Sequence, residues 1–117
     1  MASFTAAARL HKPAEFQAAF KQGKRLHLSL MTVVVATNQS PQPRLGLAVS
    51  RKVSPRAVCR NRIKRQIRES FRVHRHKLPA LDLVVIAKAP AAKAGNPQLR
   101  AELTQLWQRI EQQWPAS

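Results

Sequence analysis

The spacing of apolar side chains near the start of the chain predicts a short helix. Within residues 12–22, Phe16 and Phe20 lie four residues apart and share one helical face. Pro13 suits the first turn of a helix and Gly23 suits its end. We therefore predict one amphipathic helix that ends before Gly23.

Three further apolar segments predict strands. Residues 26–37 are rich in β-branched side chains and give one or two strands, followed by turn-forming residues at 38–43. Residues 45–50 alternate loosely around Gly46, and the short loop before them favours antiparallel pairing with the preceding strand. Residues 82–88 hold an unbroken apolar run, which is typical of a strand buried on both faces beside a parallel neighbour.

The clearest helical periodicity begins near position 56 and ends before Pro79. One face carries the side chains predicted to pack on the sheet, namely Cys59, Ile63, Ile67, Ser70, Phe71 and His74. The other side carries polar and basic residues, namely Asn61, Arg62, Lys64, Arg65, Arg68 and Arg72. This pattern predicts an amphipathic helix with a dry stripe and a cationic outer side.

A last helix is predicted up to about Gln113. Residues 90–95 read as a flexible linker, and Asn96 and Pro97 as a cap and a first turn. The apolar stripe that follows consists of Leu99, Leu103, Leu106, Trp107, Ile110 and Trp114. With no internal repeat and the length of one compact domain, residues 1–117 are expected to form a single domain.

Charge adds a functional constraint to this pattern. The chain has 21 Lys and Arg against 5 Asp and Glu, a formal net charge of +16. Eleven of these cations and one acid, Glu69, lie between Arg51 and Lys77. Such a surface repels itself unless a polyanion neutralises it, so the expected partner is nucleic acid.

Two protein classes are disfavoured by the same sequence. The single cysteine, Cys59, cannot form an internal disulfide, which favours a reducing cytoplasm over secretion. The longest apolar stretches fall far short of the ~20 residues of a membrane-spanning helix. We expect a cytoplasmic protein that does not contact a membrane.

Catalysis by the polypeptide itself is also disfavoured. No two acids lie within four residues of each other, so nothing suggests a protein-built two-metal site. His74 and His76 with Cys59 lack zinc-ligand spacing, and Cys59 reads as a small packed residue. No role is assigned to His11 or His27.

Two features leave a choice between structure and binding. Phe16 and Phe20 can both be core residues, or one or both rings can line a groove and stack on unpaired bases. Asn61, between Arg60 and Arg62, offers a donor and an acceptor, which phosphate binding alone does not require.

The stretch Arg44–Val53, followed by Ala57–Glu69 with its Arg60-Asn61-Arg62 triplet, resembles the protein subunit of bacterial ribonuclease P. The resemblance covers nearly the whole chain. It implies an α+β fold, an α-β sandwich with a mixed sheet of about four strands and N- and C-terminal helices. It also implies that the basic helix lies in a left-handed strand-helix-strand crossover, although most parallel crossovers are right-handed.

The same resemblance implies a function. The chain would be the protein subunit of a ribonucleoprotein endoribonuclease that removes the 5′ leader of precursor tRNA and leaves the mature tRNA 5′ end. Hydrolysis would belong to the RNA subunit with Mg²⁺, and the protein would hold no cofactor or metal of its own. Its partners would be ribonuclease P RNA, with one protein per RNA, and precursor tRNA.

Family positions carry over to this sequence residue by residue. The residues that would contact the catalytic RNA are Arg60, Asn61, Arg62, Lys64, Arg65, Arg68 and Arg72. The residues that would line the cleft for the single-stranded leader are Phe16, Phe20, Val34, Ala48, Lys52 and Arg56. The chain departs from the family in having no Tyr, so the strand position near Val34 lacks a phenol, and in having Ser54-Pro55 for a more flexible turn.

Two other functions remain open from the residues alone. A ribosomal or general RNA-chaperone protein would use the same charge for sequence-indifferent binding. A DNA-binding domain would be expected to show a helix-turn-helix pair, which is not visible here. Rescue of precursor tRNA cleavage at low magnesium by ribonuclease P RNA separates an authentic subunit from a generic binder.

Overall fold

The computed structural model describes residues 13–38 and 41–114. In chain order the elements are α1 (Pro13–Gln22), β1 (Lys24–His27), β2 (Met31–Thr37), β3 (Arg44–Ala48), α2 (Ala57–His74), β4 (Leu81–Ala87) and α3 (Asn96–Gln113). Two short 3₁₀ turns follow α2 and β4. The predicted mixed four-stranded sheet with three helices is confirmed. Among the described helices, none combines the length and the apolarity that a membrane span requires.

The sheet has the strand order β1-β2-β4-β3, with β4 antiparallel to β2 and parallel to β3. The antiparallel pairing expected between residues 45–50 and the preceding strand is therefore wrong. β4 lies between the two: its backbone pairs with β2 on one side and β3 on the other, and its apolar run is buried on both faces of the sheet. The connection β3-α2-β4 is thus a parallel crossover built around the basic helix.

A bidentate ion pair fixes the register of β3 on β4. Arg44 lies opposite Asp82, and its Nε and Nη2 atoms each lie 2.8 Å from one carboxylate oxygen. Asn38 donates a further hydrogen bond of 2.8 Å to the same carboxylate. A slip by one residue would separate these groups and would turn the apolar face of β3 to solvent.

One face of the sheet forms the main core with α2 and α3. Ile63, Ile67 and Phe71 of α2 are fully buried there, as the periodicity predicted. Phe71 meets Trp107 of α3 edge to face with ring centroids 5.9 Å apart. The buried indole N–H of Trp107 has a hydrogen-bond partner, because Nε1 donates to the Ser70 hydroxyl at 2.8 Å.

The opposite face is covered by α1, which packs mainly on β2 and β4. Ala19 lies on Val34 and its neighbours, with Phe16 half-buried at the edge of this cluster. Gly23 permits the close approach, because a Cβ there would lie 2.4 Å from the Ala19 carbonyl oxygen and from Val34 Cγ1. The part of the sheet next to β3 is less covered, since Ile86 and its partner Ala48 are both half-buried.

Two local predictions near α3 are wrong. Residues 90–95 are not an irregular linker throughout, because Ala89–Lys93 forms a 3₁₀ turn whose Ala91 is buried in the main core. Asn96 does not cap α3, since the helix already includes it and Gly95 holds the cap position without a side-chain bond. The Asn96 amide oxygen instead accepts a hydrogen bond from Arg62.

A buried carboxylate joins α3 to the turn between β1 and β2. Both oxygens of Glu102 accept from the Leu30 backbone N–H, at 3.1 and 3.0 Å, and Oε1 accepts from the Ser29 hydroxyl at 2.5 Å. Lys88 reinforces the turn by donating to the Leu28 carbonyl oxygen at 2.6 Å. These bonds satisfy backbone groups that would otherwise be buried without partners.

We expect Glu102→Ala to lower the free energy of unfolding by ~1–3 kcal/mol, because the buried Leu30 N–H loses its acceptor. Urea denaturation measures the loss. Glu102→Gln keeps one side-chain oxygen and should retain more of the stability, whereas Glu111→Ala, on the same helix, should change little. Equal stability of Glu102→Ala and Glu111→Ala would contradict this role.

Candidate nucleic-acid interface

The rotation of α2 about its axis is fixed by its buried stripe, and this orients the cationic residues. Because Ile63, Ile67 and Phe71 face the sheet, Asn61, Arg65 and Arg68 are exposed. The remaining predicted contact residues are half-exposed, namely Arg60, Arg62, Lys64 and Arg72. All seven predicted RNA-contact residues therefore reach the surface, although they do not all face the same way.

The outward side of α2 forms an open groove of about 400 Å³ that we call the cationic groove. It is lined by Asn61, Arg65, Arg68, Glu69 and Arg72. Within the described ranges, neither Arg65 nor Arg68 makes a hydrogen bond or ion pair with the protein. Their guanidinium groups are available to grip phosphate with two parallel hydrogen bonds.

Two other arginines of the helix are held by neutral protein groups. Arg60 Nη1 donates to the Ser54 carbonyl oxygen at 3.0 Å. Arg62 Nη1 donates to Asn96 Oδ1 at 2.9 Å, and its Nη2 lies 3.4 Å from the Ala92 carbonyl oxygen. Arg62 lies off the buried stripe as predicted, but its guanidinium turns toward α3, which begins beside it and offers these acceptors.

Arg72 is paired with the single acid of this region. Its guanidinium hydrogen-bonds the exposed carboxylate of Glu69, one helical turn away. That hydrogen bond lowers the pKa of Glu69 and raises the pKa of Arg72. A depressed carboxyl pKa means that the pair is present at neutral pH and is lost only as the pH falls through the folded-state pKa of Glu69.

The segment between β3 and α2 presents two more cations. Lys52 and Arg56 are exposed, and Ala48 at the end of β3 is half-buried. Ser54 orders this segment, since its hydroxyl accepts from the Arg56 N–H at 3.2 Å and its carbonyl from Arg60. Ala48, paired with Ile86, thus lies on the sheet face that α1 leaves partly open, whereas Arg56 lines a groove of about 590 Å³ with Cys59, Arg62 and Ala92 beside the start of α2.

The aromatic residues of α1 occupy different surroundings. Phe16 is half-buried against the cluster that contains Val34, and Ile86, the strand partner of Ala48, packs against the same cluster. Phe20 is 38% exposed, and the Arg25 guanidinium carbon of β1 lies 5.7 Å from its ring centroid. Phe16 therefore borders the open part of the sheet, whereas Phe20 faces the strand at the opposite edge.

Val34 does not contribute to an open surface. Its exposed fraction is 0%, because α1 covers it from above and β1 and β4 flank it in the sheet. Its inclusion among the leader-contacting residues is contradicted by this burial. The sequence marked Val34 as part of a strand but did not reveal which helix covers that strand.

Sequence reasoning missed Arg25 and Ser54. Arg25 adds a guanidinium beside Phe20 and belongs to β1, which begins directly after Gly23. Period-two alternation from the buried Leu26 would have turned Arg25 to the α1 side of the sheet. Ser54 gave a weaker signal, because a serine before proline is common in turns without being buried.

The residues considered for metal or nucleophilic chemistry have structural surroundings. Cys59 is half-buried with its Sγ 3.9 Å from the Ala92 carbonyl oxygen, and His74 Nδ1 lies 2.8 Å from the Ser70 carbonyl oxygen. His27 pairs with Thr32 on the sheet. His11 lies outside the described residues. Across residues 13–38 and 41–114, no group of three His, Cys, Asp or Glu side chains could hold a metal ion.

Comparison with known sequences matches nearly the whole chain to one family. A family model described as Ribonuclease P matches residues 4–111. The Ribonuclease P protein component of Serratia proteamaculans is 45% identical over 109 residues, which cover 93% of this chain and 92% of that protein. The one from Idiomarina loihiensis is 44% identical over 103 residues, covering 87% and 82%.

Solved structures agree with the sequence comparison. The RNase P protein of Staphylococcus aureus superposes with a TM-score of 0.80 at 36% identity, covering 88% of this chain and 94% of that one. The RNase P protein of Thermotoga maritima superposes with a TM-score of 0.78 at 33% identity, covering 88% and 97%. The similarity extends over the strands and helices that position the cationic groove.

We expect Arg62→Ala to lower the free energy of unfolding by about 1 kcal/mol, since it removes the bond between α2 and the start of α3. Asn96→Ala should cost a similar amount, and the double variant little more than either single one, because both lose the same contact. Arg65→Ala is the matched control and should leave urea stability unchanged. Additive losses in the double variant would contradict the contact.

Proposed function

The chain belongs to the ribonuclease P protein family, and from this premise we propose that α2 presents its cationic groove to the ribonuclease P RNA. As a protein component of ribonuclease P, the chain works with that RNA in an endoribonuclease that processes tRNA. The observation that carries the proposal is the outward position of the Arg65 and Arg68 guanidinium groups, which have no partner among the described residues, on a helix whose other side is anchored in the core.

The physical case rests on counterion release. RNA carries a condensed layer of cations, and each protein cation that contacts a phosphate releases part of that layer. Arg65, Arg68 and Lys64 supply such contacts, and Asn61 adds an amide that can both donate and accept. Arg60 and Arg62 already donate some of their guanidinium hydrogens to Ser54, Asn96 and Ala92. Only their remaining guanidinium hydrogens contact RNA.

We propose that the single-stranded 5′ leader of precursor tRNA lies along the partly open sheet face. Phe16 borders this face on the α1 side, Ala48 lies at the end of β3, and the exposed Lys52 follows in the segment directly after that strand. Arg56 directly precedes α2 and lines a groove with Arg62, so that a leader reaching it would lie next to the catalytic RNA on α2. Phe20, with Arg25 over its ring, offers a stacking surface at the far side of α1.

Hydrolysis in this proposal belongs to the RNA subunit with Mg²⁺, and the protein contributes charge and orientation. Three acids are occupied by structural partners, since Glu69 pairs with Arg72, Asp82 with Arg44, and Glu102 with the turn before β2. By lowering the repulsion between two RNA molecules, the cationic groove would favour the assembled particle at lower Mg²⁺ concentrations.

The remaining features of the proposal concern assembly. We propose one protein per ribonuclease P RNA, with precursor tRNA as the shared substrate of the particle. The whole chain, residues 1–117, would act as one domain without a bound cofactor. Since precursor tRNA is the substrate, the cytoplasm is the proposed site of action.

Cleavage of precursor tRNA by ribonuclease P RNA at low Mg²⁺ tests the cationic groove. We expect the wild-type protein to restore leader release, and the double variant Arg65→Ala/Arg68→Ala to lower the rate at subsaturating protein at least tenfold. Arg109→Ala, an exposed arginine of α3, is the single-charge control and should behave as wild type.

Each lost phosphate contact should also reduce the dependence of RNA affinity on salt. The slope of log K against log salt concentration is expected to fall by about 0.7 to 0.9 for Arg65→Ala. Thermal melting confirms that each variant is folded. The proposed interface would be overturned if the folded Arg65→Ala/Arg68→Ala protein restored cleavage as well as the wild type and bound RNA with the same salt dependence. Equal restoration of cleavage by an unrelated basic RNA-binding protein would overturn it as well.

The leader path is tested separately by changing the substrate. Lys52→Ala should weaken binding of a precursor tRNA with a long leader about threefold, because one phosphate contact is lost, and should not affect a substrate with a one-nucleotide leader. Lys77→Ala, beyond the end of α2, is the matched control. Equal effects of Lys52→Ala on both substrates, measured as Kd of the holoenzyme, would contradict this path.

A further inference from the structure

A cavity lies between α2 and α3, beside the cationic groove and separate from the sheet face. The two helices run in the same direction, since Arg62 meets Asn96 near their starts and Ser70 meets Trp107 farther along. Beyond the Arg62–Asn96 contact, and alongside Ser70, the helices leave a cavity of about 250 Å³. We call it the interhelical pocket; Gln66, Val73 and His74 line it from α2, and Arg100 and Thr104 from α3.

The chemistry of the interhelical pocket is mixed. Val73 is 50% exposed and supplies apolar surface to the pocket wall. His74 has its Nδ1 engaged with the Ser70 carbonyl oxygen, which leaves Nε2 for a ligand. Thr104 donates its hydroxyl proton to the Arg100 carbonyl oxygen, so the hydroxyl oxygen can still accept. The pocket thus combines an apolar wall with a small number of donors and acceptors.

Size and position limit what can occupy this pocket. Its volume lies below the ~300 Å³ at which pockets for drug-sized ligands begin, so it suits one flat ring system. Glu69 lines both this pocket and the cationic groove, so the two surfaces are continuous. An RNA strand whose phosphates lie on Arg65 and Arg68 would have its bases within reach of the pocket.

We propose that the interhelical pocket receives one unpaired base of the ribonuclease P RNA. This inference rests on the proposed function, because it requires the RNA to lie on the cationic groove. Val73 contacts the face of the base, and Gln66 meets its edge with an amide that both donates and accepts. Base insertion supplies an uncharged contribution to affinity, in addition to the phosphate contacts of Arg65 and Arg68.

The experiment measures the affinity of the full-length protein for ribonuclease P RNA over a range of salt concentrations. Val73→Trp fills the pocket, and Gln66→Leu replaces its amide with a shorter apolar side chain. Gln105→Trp and Gln105→Leu, on the exposed side of α3, are the matched controls for the two substitutions. Thermal melting is recorded for all four variants.

We expect Val73→Trp to raise the Kd about tenfold, as the loss of one stacked base does. The slope of log K against log salt concentration should stay that of the wild type, because no phosphate contact is lost. Gln66→Leu should raise the Kd severalfold and leave the salt slope unchanged. If Val73→Trp does not melt as a folded protein, the Kd of Gln66→Leu is the test of the base pocket. Both control variants should bind as wild type.

Wild-type affinity in the folded pocket variants would overturn the inference. So would a loss of affinity that is accompanied by a smaller salt slope, since that would report lost phosphate contacts, or an equal loss in the Gln105 variants. Arg65→Ala in the same titration keeps the two proposals apart. If the salt slope of Arg65→Ala equals that of the wild type, the cationic groove is contradicted. If that slope decreases as expected but Val73→Trp and Gln66→Leu bind RNA as the wild type does, only the base pocket is contradicted.

Discussion

The packing of one side of α2 against the sheet is the constraint on which the surface chemistry depends. Each of Ile63, Ile67 and Phe71 is fully buried, and such burial contributes roughly 1.5–3 kcal/mol per side chain. This contribution opposes the mutual repulsion of the cations on the same helix. Because the buried stripe leaves the helix no freedom to rotate, it also decides which cations face outward and which reach α3. The order of the interior therefore determines the pattern of charge at the surface.

The arginines of α2 serve two different purposes that their sequence does not distinguish. Arg60 and Arg62 bind carbonyl and amide oxygens of the protein, which connects α2 to the turn before it and to the start of α3. Arg65 and Arg68 have no such partner within the described residues. A chain with a net charge of +16 thus uses part of its excess charge to build its own framework and leaves another part exposed at the surface.

The pattern of apolar residues along the chain predicted the helices and strands well. Strand pairing and the burial of particular side chains depended on tertiary contacts, which the local pattern does not contain. The periodicity around Ile63 and Ile67 identified α2 and its buried stripe, and the apolar run of β4 identified a central strand. The partner of β3 could not be read from its own residues, because strand pairing depends on a segment more than thirty positions away. Likewise, the direction of Arg62 and the burial of Val34 depend on where α3 and α1 pack. The contact residues remain expectations from family resemblance, and only their placement is visible in the fold.

The strand order also has a consequence for the timing of chain synthesis. β4 separates β2 from β3, yet it emerges from the ribosome after both of them and after the whole of α2. Until residue 87 is available, β2 and β3 lack their common neighbour, and Ile63, Ile67 and Phe71 lack the completed surface on which they pack. Glu102 reaches the turn before β2 later still. A nascent chain therefore exposes the whole cationic segment, residues 57–74, before it has a folded core, in the immediate vicinity of ribosomal RNA.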